Sequence, residues 1–391
     1  MATKIKKSND YKFGLIGTNK KNGLNVWRFI FNAVDSMTGA ENMFYIELEI
    51  LNPWVSQNEV ILGFKTRVNF TQEDLQYALA GTESAKSLTT ESIVQPSYCA
   101  VRIGKFGKNG KELCSYFPIK DLKTNSKPFE VTINNKYFSS EKISGFIDVP
   151  EKNIKSHPEY FSDTGYAKWN LTYDFEHDYI DGYKKDDFRW FPFGLRTSYS
   201  GTLNFNGIDY EVDPKRCNGY MERFWGKTIV DPYFSISAEN LTSVITGKTL
   251  MNSSFALKGI FEDRVSFIGK FEDIDIKLCA DGGKRQYNTV WNCVQMPESD
   301  NPDENLLHWS VSLNNKTWVI DIDVFCKIKE LVNRLLELPE GSRKILNLLE
   351  GGSGTGEIKL YKKIGNTLEQ IEHANLVKVV CGFGHSEAGE F

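Results

Sequence analysis

Apolar and polar residues alternate along most of the chain, which is the pattern of β-strands with one buried face. The stretch NMFYIELEILNPW places Phe44 and Ile46 on one face and Tyr45, Glu47 and Glu49 on the other. This spacing predicts a strand that is buried on one side only. Comparable alternation occurs in PFEVTINNKYF, AKWNLTYDFEHDYI, GTLNFNGIDYEV, VSFIGKFEDIDIKLC, LHWSVSLNNKTWVIDIDVFC and GEIKLYKK.

Turn signals separate several of these strands. Asn206-Gly207 lies between TLNF and IDYEV, and Asn314-Asn315 lies between WSVSL and TWVIDI, as expected for β-hairpins. Short strands with closely spaced turns predict an all-β protein of antiparallel barrels or sandwiches with little helix. Because the same pattern occurs before and after residue 215, we expect two β-domains of similar build, residues 1–215 and 216–391.

Helical patterns are scarce. TQEDLQYALAG begins with Thr71 and has Asp74 three residues later, a variant capping box that predicts one short helix. In KELVNRLLELPEG, Leu331, Leu335 and Leu336 have helical spacing, and the following proline would end such a helix.

The stretch GGSGTGE, Gly351–Glu357, has the glycine content of a phosphate-binding loop. Glu357, however, stands where such a loop requires a lysine, and the following IKLYKK alternates like a strand. We therefore predict a flexible turn that leads into a strand.

Composition excludes several classes of protein. The 391-residue chain has a formal net charge of −4, without the basic excess of a nucleic-acid-binding surface. Its seven Cys form no CxxC motif, which favours reduced thiols in a cytoplasmic protein over disulfides or a zinc site. The five His lack the spacing of a local ligand pair, so no metal is expected. We find neither a signal peptide nor an apolar run of about 18 residues, and so predict no membrane span.

The stretch NGYMERFWGK carries the strongest candidate chemistry. As a strand it would place Tyr220, Glu222 and Phe224 on one side. Burial of a carboxyl group among aromatic rings raises its pKa, so Glu222 is a candidate general acid near neutral pH. The alternative is a structural ion pair, in which Glu222 or Asp231 binds Arg223 or Lys227.

A second aromatic stretch, DDFRWFPFGLRTSYSGTL, contains Trp190 and Arg196. One interpretation is a loop whose rings seal the mouth of a barrel. The other is a pocket lid whose arginines bind a ligand. Both functions are compatible with the same loop.

The run from Asn218 resembles the tocopherol-cyclase-like family, which often has the signature GY-x-E-K-N-W-G. Gly219, Tyr220, Glu222 and Trp225 match it, whereas arginine and phenylalanine replace its lysine and asparagine. The later stretches WSVSLNNKTWVIDIDVFCK, LPEGSRK, EGGSGTGEIKLYKK and HANLVKVVCGFG are also similar to the family. The resemblance covers about residues 168–384, and the first 160 residues match mainly by strand pattern.

The resemblance implies two lipocalin-like β-barrels side by side, related to carotenoid 1,2-hydratases and fungal Diels–Alderases. These proteins handle bulky apolar small molecules without a redox cofactor. The resemblance also implies β-structure between VFCK and LPEG, so we predict a strand there despite the helical leucine spacing.

Three functions are compatible with these observations. The first is a cofactor-independent cyclase, isomerase or hydratase that protonates a bulky apolar substrate, with Glu222, Asp231 and Tyr220 as catalytic residues. The second is a non-catalytic carrier or sensor of a lipophilic ligand. The third is a glycan- or protein-binding module with a flat aromatic face. The candidate ligand-binding residues are Arg223, Phe224, Trp225, Tyr233, Asn240, Arg196 and Trp190.

Overall fold

A computed structural model shows that the chain is almost entirely β-structure, as the alternation predicts. Two antiparallel sheets, curled into a barrel and a half-barrel, pack side by side. The structure describes residues 22–62, 95–126, 128–156, 161, 163–177, 182–185, 187–261, 264–280, 286–296, 300–301, 304–341 and 344–388. The helix predicted at Thr71 lies outside the described residues.

Described residues of the first half of the chain form a sheet of 13 strands. Its main order is β4-β3-β2-β1-β12-β11-β9-β8-β7-β6-β5, while β10 pairs with β11, and β13 lies against β1 and β11. A six-residue helix, α1 (Glu151–Ser156), precedes β9. The strands are β1 (Leu24–Asp35), β2 (Glu41–Leu51), β3 (Tyr98–Lys105), β4 (Lys111–Phe117), β5 (Leu122–Ser126), β6 (Phe129–Ile133), β7 (Lys136–Ser139), β8 (Lys142–Val149), β9 (Gly165–Phe175), β10 (Tyr183–Lys185), β11 (Phe188–Phe205), β12 (Ile208–Val212) and β13 (Asn218–Gly226).

The second sheet has 11 strands among the described residues. Its main order is β18-β17-β16-β14-β24-β23-β21-β20-β19, with β15 against β24 and β22 against β23. The strands are β14 (Tyr233–Ala238), β15 (Leu241–Ser243), β16 (Ser254–Phe261), β17 (Arg264–Phe271), β18 (Ile274–Leu278), β19 (Tyr287–Gln295), β20 (Leu306–Asn315), β21 (Trp318–Lys327), β22 (Val332–Glu337), β23 (Lys344–Ile364) and β24 (Thr367–Ala388).

Sheet membership changes between β13 and β14. β13 pairs with β1 and β11 in the first sheet, and β14 begins the second at Tyr233. The segment that joins the sheets is therefore 227–232, whereas the division into domains at residue 215 remains a prediction.

Three layers of apolar side chains hold the molecule together. Rings such as Trp169 and Phe138 fill the interior of the first barrel, and Trp309 and Phe267 do so in the half-barrel. A third cluster lies between the sheets and joins residues of both, for example Ile30 of the first and Ile268 of the second. Each sheet thus buries one face in its own core and part of the other against its neighbour.

Burial between the sheets corrects one expectation about β2. The alternation predicted that Tyr45, Glu47 and Glu49 lie on a solvent-exposed face, but β2 is buried on both faces. The physical reason is that the second sheet covers the face that carries these polar residues.

Two further local predictions need correction. The aromatic stretch around Trp190 is a continuous strand, β11, rather than a loop, because it pairs with β9, β12 and β13 along its length. The glycines of GGSGTGE lie within β23, where register shifts at Gly351, Gly354 and Gly356 form a bulge instead of a turn. The strand predicted for VNRLLE is confirmed as β22.

The two predicted hairpins occur. Asn206 and Gly207 both have positive φ, as a two-residue turn between β11 and β12 requires. β20 and β21 also form a hairpin, but Asn314 pairs with Val319, so the turn lies slightly later than predicted.

Candidate functional site

A row of alternating charges crosses the first sheet on the face that meets the second. In register, Glu222 of β13 lies opposite Arg28 of β1, Arg28 opposite Glu47 of β2, and Glu47 opposite Arg102 of β3. All four residues are at most 4% exposed. Opposite charges on directly paired strand positions attract, so the row is locally neutral within the sheet.

A second row faces it from the other sheet. Glu350 of β23, Gly382 of β24, Ser235 of β14 and Lys258 of β16 are consecutive partners in register. Gly382 leaves room for its neighbours, since a Cβ there would lie 2.8 Å from Ser235 Oγ and 3.2 Å from Glu350 Oε1. The small residues therefore allow the long side chains of Glu350 and Lys258 to extend towards the first sheet.

Glu222 is held from both sheets. Lys258 Nζ donates to its Oε1 at 2.6 Å, while Trp190 Nε1 and Tyr220 OH donate to its Oε2 at 2.7 and 3.0 Å. Lys258 Nζ also donates to Tyr233 OH at 2.7 Å and lies 4.2 Å from the ring centroid of Phe224. Three donors of this kind stabilise an ionised carboxylate, and Glu222 joins the sheets through its ion pair with Lys258.

Arg28 and Arg334 bind the remaining acids. Arg28 donates to both oxygens of Glu350 at 2.7 Å, and its Nε lies 2.9 Å from Glu47 Oε1. Arg334, on β22 of the second sheet, donates to Glu47, to Glu350 at 2.9 Å and to Glu112 Oε2 at 2.7 Å. The network is therefore continuous from Glu222 through Arg28 and Arg334 to Glu112.

The arginines keep two buried carboxyls ionised. Burial raises the pKa of Glu47, but Arg334 and Arg28 outweigh it and leave that pKa at about 2. Burial likewise acts to raise the pKa of Glu350, and the same two arginines lower it below its ordinary value. At Glu49, in contrast, burial outweighs the attraction of Arg102, and the pKa is raised.

A cleft opens at the end of this network. Its volume is about 430 Å³, and it lies between the β3–β4 hairpin of the first sheet and β22 of the second. The mouth is formed by exposed Asn109, Lys111 and Asn333, whereas Tyr98 and Tyr116 form part of the inner wall. This volume is within the range of small-molecule sites, ~300–1,000 Å³.

Tyr45 and Glu112 form a hydrogen-bonded pair that lines the cleft. Tyr45 OH donates to Glu112 Oε2 at 2.6 Å, and Arg334 Cζ lies 4.5 Å from the centre of the Tyr45 ring. The Glu112 side chain remains 21% exposed, while burial raises the pKa of Tyr45 well above its ordinary value. Gly104, opposite Tyr45 in register, makes space for the ring, since a Cβ there would lie 2.1 Å from Tyr45 Cζ.

Five of the predicted site residues meet at one point. Trp190 and Tyr220 bind Glu222, while Glu222, Phe224 and Tyr233 contact the Lys258 ammonium between the sheets. Their grouping follows from strand spacing, because alternate residues of β13 point to the same face. Their catalytic and ligand-binding roles stay predictions.

Arg223 and Trp225 lie on the opposite face of β13. The Arg223 guanidinium carbon is 4.7 Å from the Trp27 ring and 4.2 Å from the Trp225 ring, and its Nε donates to Asn25 Oδ1 at 2.9 Å. Burial, with a further contribution from Arg189, lowers the pKa of Arg223 to about 9. These residues stack on the first barrel, away from Glu222.

The other predicted residues make their hydrogen bonds to residues other than Glu222. Asp231 is exposed in the joining segment and binds Ser386. Arg196 donates to the backbone carbonyl of Glu239, and Asn240 accepts from Asn218 Nδ2 at 3.1 Å. These contacts connect the sheets at positions other than the charge row.

Sequence reasoning missed most of the charged residues in the interface. Lys258 stands in the largely apolar strand SFALKGIF, and that isolated charge was the available signal, whereas Arg334 stands in VNRLLE among other polar residues. Glu47 was recognised as polar, but its partner Arg334 is 287 residues away. Such pairing is set by the packing of the sheets, which strand pattern does not reveal.

No metal or membrane element was found among the residues that the structure describes. Groups of three or more potential His, Cys, Asp or Glu ligands are absent from these residues. No helix in the same residues has the length and hydropathy needed to cross a bilayer. The absence of nucleic-acid binding, the cytoplasmic location and the absence of a metal stay predictions from the sequence.

The comparisons with known proteins give little beyond these observations. Neither a family model nor a curated protein matches the sequence. The fold is similar to that of a candidate AttH from Nitrosomonas europaea, at 11% identity over 94% of this chain and 95% of that chain, with a TM-score of 0.44. A DUF3598 protein of unknown function from Nostoc punctiforme aligns at 8% identity over 94% and 97% of the two chains, with a TM-score of 0.12. Similarity at this level supports no functional argument, and the tocopherol-cyclase resemblance stays a prediction.

Proposed function

We propose that the protein is a cofactor-independent isomerase or cyclase that binds a bulky small molecule in the cleft between the sheets. The observation that carries the proposal is the hydrogen-bonded Tyr45–Glu112 pair on the inner wall of a cleft of about 430 Å³. A phenol and a carboxylate in contact can donate and accept a proton without any other group.

The lining indicates the kind of substrate. Tyr98, Tyr116 and Val332 offer ring and aliphatic surface for an apolar body. Arg102, Glu112 and Arg334 offer charge and hydrogen bonds at the inner end. We therefore propose a substrate with a bulky apolar part and at least one carbonyl oxygen, rather than a hydrocarbon polyene.

The chemistry follows from where charge would develop. Removal of a proton next to a carbonyl by Glu112 places negative charge on the carbonyl oxygen. Tyr45 can donate a hydrogen bond to that oxygen once it turns from Glu112, and the nearby Arg334 guanidinium favours the negative charge. Return of the proton from Glu112 to another carbon gives an isomer. Attack of the enolate carbon on an alkene conjugated to a carbonyl of the same substrate forms a ring bond as the alkene π bond breaks, and the new enolate then takes the proton back from Glu112.

The carrier function remains a second candidate because of one observation. The buried acids Glu222, Glu47 and Glu350 all bind cations within the protein, and Glu112 itself accepts from Arg334 Nε at 2.7 Å, so the same contacts are compatible with a site that transfers no proton. A carrier would need only the cleft.

The test combines binding with product analysis. The full-length protein is incubated with enones, prenyl-quinones, flavonoids and sterols, and native mass spectrometry identifies the bound compounds, while chromatography detects isomers. Glu112→Gln should keep binding within about threefold and lose turnover by ~10²-fold or more, as expected for loss of a general base. Tyr45→Phe should lower both.

Tyr287→Phe is the matched control, because Tyr287 donates one buried hydrogen bond, to Val265 O at 3.0 Å, within the half-barrel. It should bind and turn over like the wild type. Binding without any product, unaffected by Glu112→Gln, would establish the carrier. A ligand that binds equally well to Tyr45→Phe and to the wild type would place the site outside the cleft.

A further inference from the structure

Arg196 connects the two sheets on the side of the interface away from the cleft. The cleft lies at β3 and β4, whereas Arg196 is on β11, and β2, β1 and β13 separate the two positions in the first sheet. Its Nη1 donates to the backbone carbonyl of Glu239, which follows β14 of the second sheet. Its Nε donates to Glu176 Oε2 at 2.5 Å.

His177 makes a second connection at the same place. Its Nδ1 lies 2.8 Å from Ser254 Oγ, at the start of β16 in the second sheet. The ring is 4% exposed and Ser254 is fully buried. Because β14 and β16 pair up to Ala238 and Phe255, Glu239 and Ser254 lie next to each other at the end of that ladder.

The Glu239 carboxyl is buried here without a charged hydrogen-bonding partner. The side chain is 1% exposed, and neither oxygen makes a well-formed hydrogen bond within the described part of the chain. The hydrogen bonds that Arg196 makes go to Glu176 and to the Glu239 backbone carbonyl, and the carboxyl oxygens of Glu239 accept none of them. A buried carboxylate in this arrangement is costly, whereas a neutral carboxyl is tolerated.

The surroundings favour the neutral forms of both titratable groups. Burial raises the pKa of Glu239 to about 8, although Arg196 opposes the shift. Burial, then Arg196 and Lys270, lowers the pKa of His177 to about 4. The other groups that face the pair are Tyr199 on β11, Ser237 on β14 and Asp275 on β18.

We propose that Glu239, with Arg196 and His177, forms a pH-responsive latch between the sheets, closed while the Glu239 carboxyl carries its proton and loosened when that proton is lost. In the open state Glu239 would titrate near its ordinary value of 4.5 and His177 near 6.5. Because of Glu239, closing of the latch becomes less favourable as pH rises from 4.5 to 8. Because of His177, closing becomes less favourable as pH falls from 6.5 to 4.

The two effects oppose each other between about pH 4.5 and 6.5, so the latch should change little there. Above pH 6.5 only Glu239 still contributes, and the opening equilibrium constant should rise by up to about tenfold per pH unit until about pH 8. The latch thus responds to the mildly alkaline range.

Hydrogen–deuterium exchange of the full-length protein at pH 6 and 8.5 tests the latch. After correction for the intrinsic pH dependence of exchange, amides at 239–254 should open at least tenfold more at pH 8.5, and amides at 332–337 should not. Glu239→Gln, which resembles the protonated side chain, should remove the difference. Glu176→Gln is the control, since it changes an acid bound to the same Arg196 and should keep the pH response.

Infrared difference spectra provide a second readout. In the wild type a protonated carboxyl band should be present at pH 6.5 and disappear by pH 9, and it should be missing from Glu239→Gln, which separates it from Glu49, whose pKa is also raised. The absence of such a band at pH 6.5, or an equal pH response in Glu239→Gln and wild type, would overturn the latch.

Discussion

The Glu222 carboxylate of the first sheet and the Lys258 ammonium of the second lie 2.6 Å apart, with 1% of either side chain exposed. Removal of one partner leaves the other charge buried and unpaired, which costs about 3–5 kcal/mol. We expect Glu222→Leu and Lys258→Met each to lower the free energy of unfolding by that amount, as measured by urea denaturation.

The double variant Glu222→Leu/Lys258→Met separates pairing from desolvation. Replacement of a buried ion pair by apolar residues of similar volume is often neutral or stabilising, so the double variant should recover most of the loss. If the double variant loses as much stability as the two single variants together, the two charges do not interact.

Stability should also fall in acid because of Glu47. Its pKa is about 2 in the folded protein, below the ordinary 4.5, since Arg334 and Arg28 outweigh the effect of burial. A depressed pKa contributes stability that is present above pH 4.5 and is lost as pH falls towards 2. The shift corresponds to about 3 kcal/mol, with a further loss from Glu350, whose pKa is also lowered.

Urea denaturation at pH 5, 4, 3 and 2.5 measures this loss. Glu47→Gln should be less stable than wild type at pH 5 and should show a flatter dependence on pH, because the group that takes up the proton is gone. An unchanged pH slope in Glu47→Gln would contradict the assignment of the acid transition to this carboxyl.

Much of the fold was predictable because strand spacing is a local property. The alternation in β2 and the Asn206-Gly207 turn need only neighbouring residues to form. The prediction for β11 was wrong because an 18-residue aromatic strand lacks the alternation that a sheet with one exposed face produces. β11 is largely buried over its first half, so strand and loop were not distinguishable there.

The common face of the site residues could be derived from spacing only where they share a strand. Tyr220 and Glu222 are two positions apart on β13, so their common face follows from the sequence. Lys258 and Arg334 reach the network from strands of the other sheet, and their positions depend on how the sheets pack. A charge in an apolar strand signals a buried partner, but its identity is decided by tertiary structure.

Gly104 tests whether the cleft depends on the placement of Tyr45. In Gly104→Ala the new Cβ would lie 2.1 Å from Tyr45 Cζ, so the ring must turn away and its hydroxyl must leave Glu112. We expect a loss of stability of about 1–3 kcal/mol from the clash and at least a tenfold loss of affinity for whichever compound the wild type binds. Isothermal titration calorimetry and urea denaturation measure the two effects.

Gly269→Ala is the matched control, because its Cβ would lie 2.8 Å from the Phe267 ring in the half-barrel, remote from the cleft. It should lose stability and keep affinity. Gly104→Ala/Tyr45→Leu, in which the clash is relieved, should regain stability without regaining affinity. Wild-type affinity in Gly104→Ala would show that ligand recognition does not use Tyr45, since the ring cannot keep its position beside an alanine at residue 104.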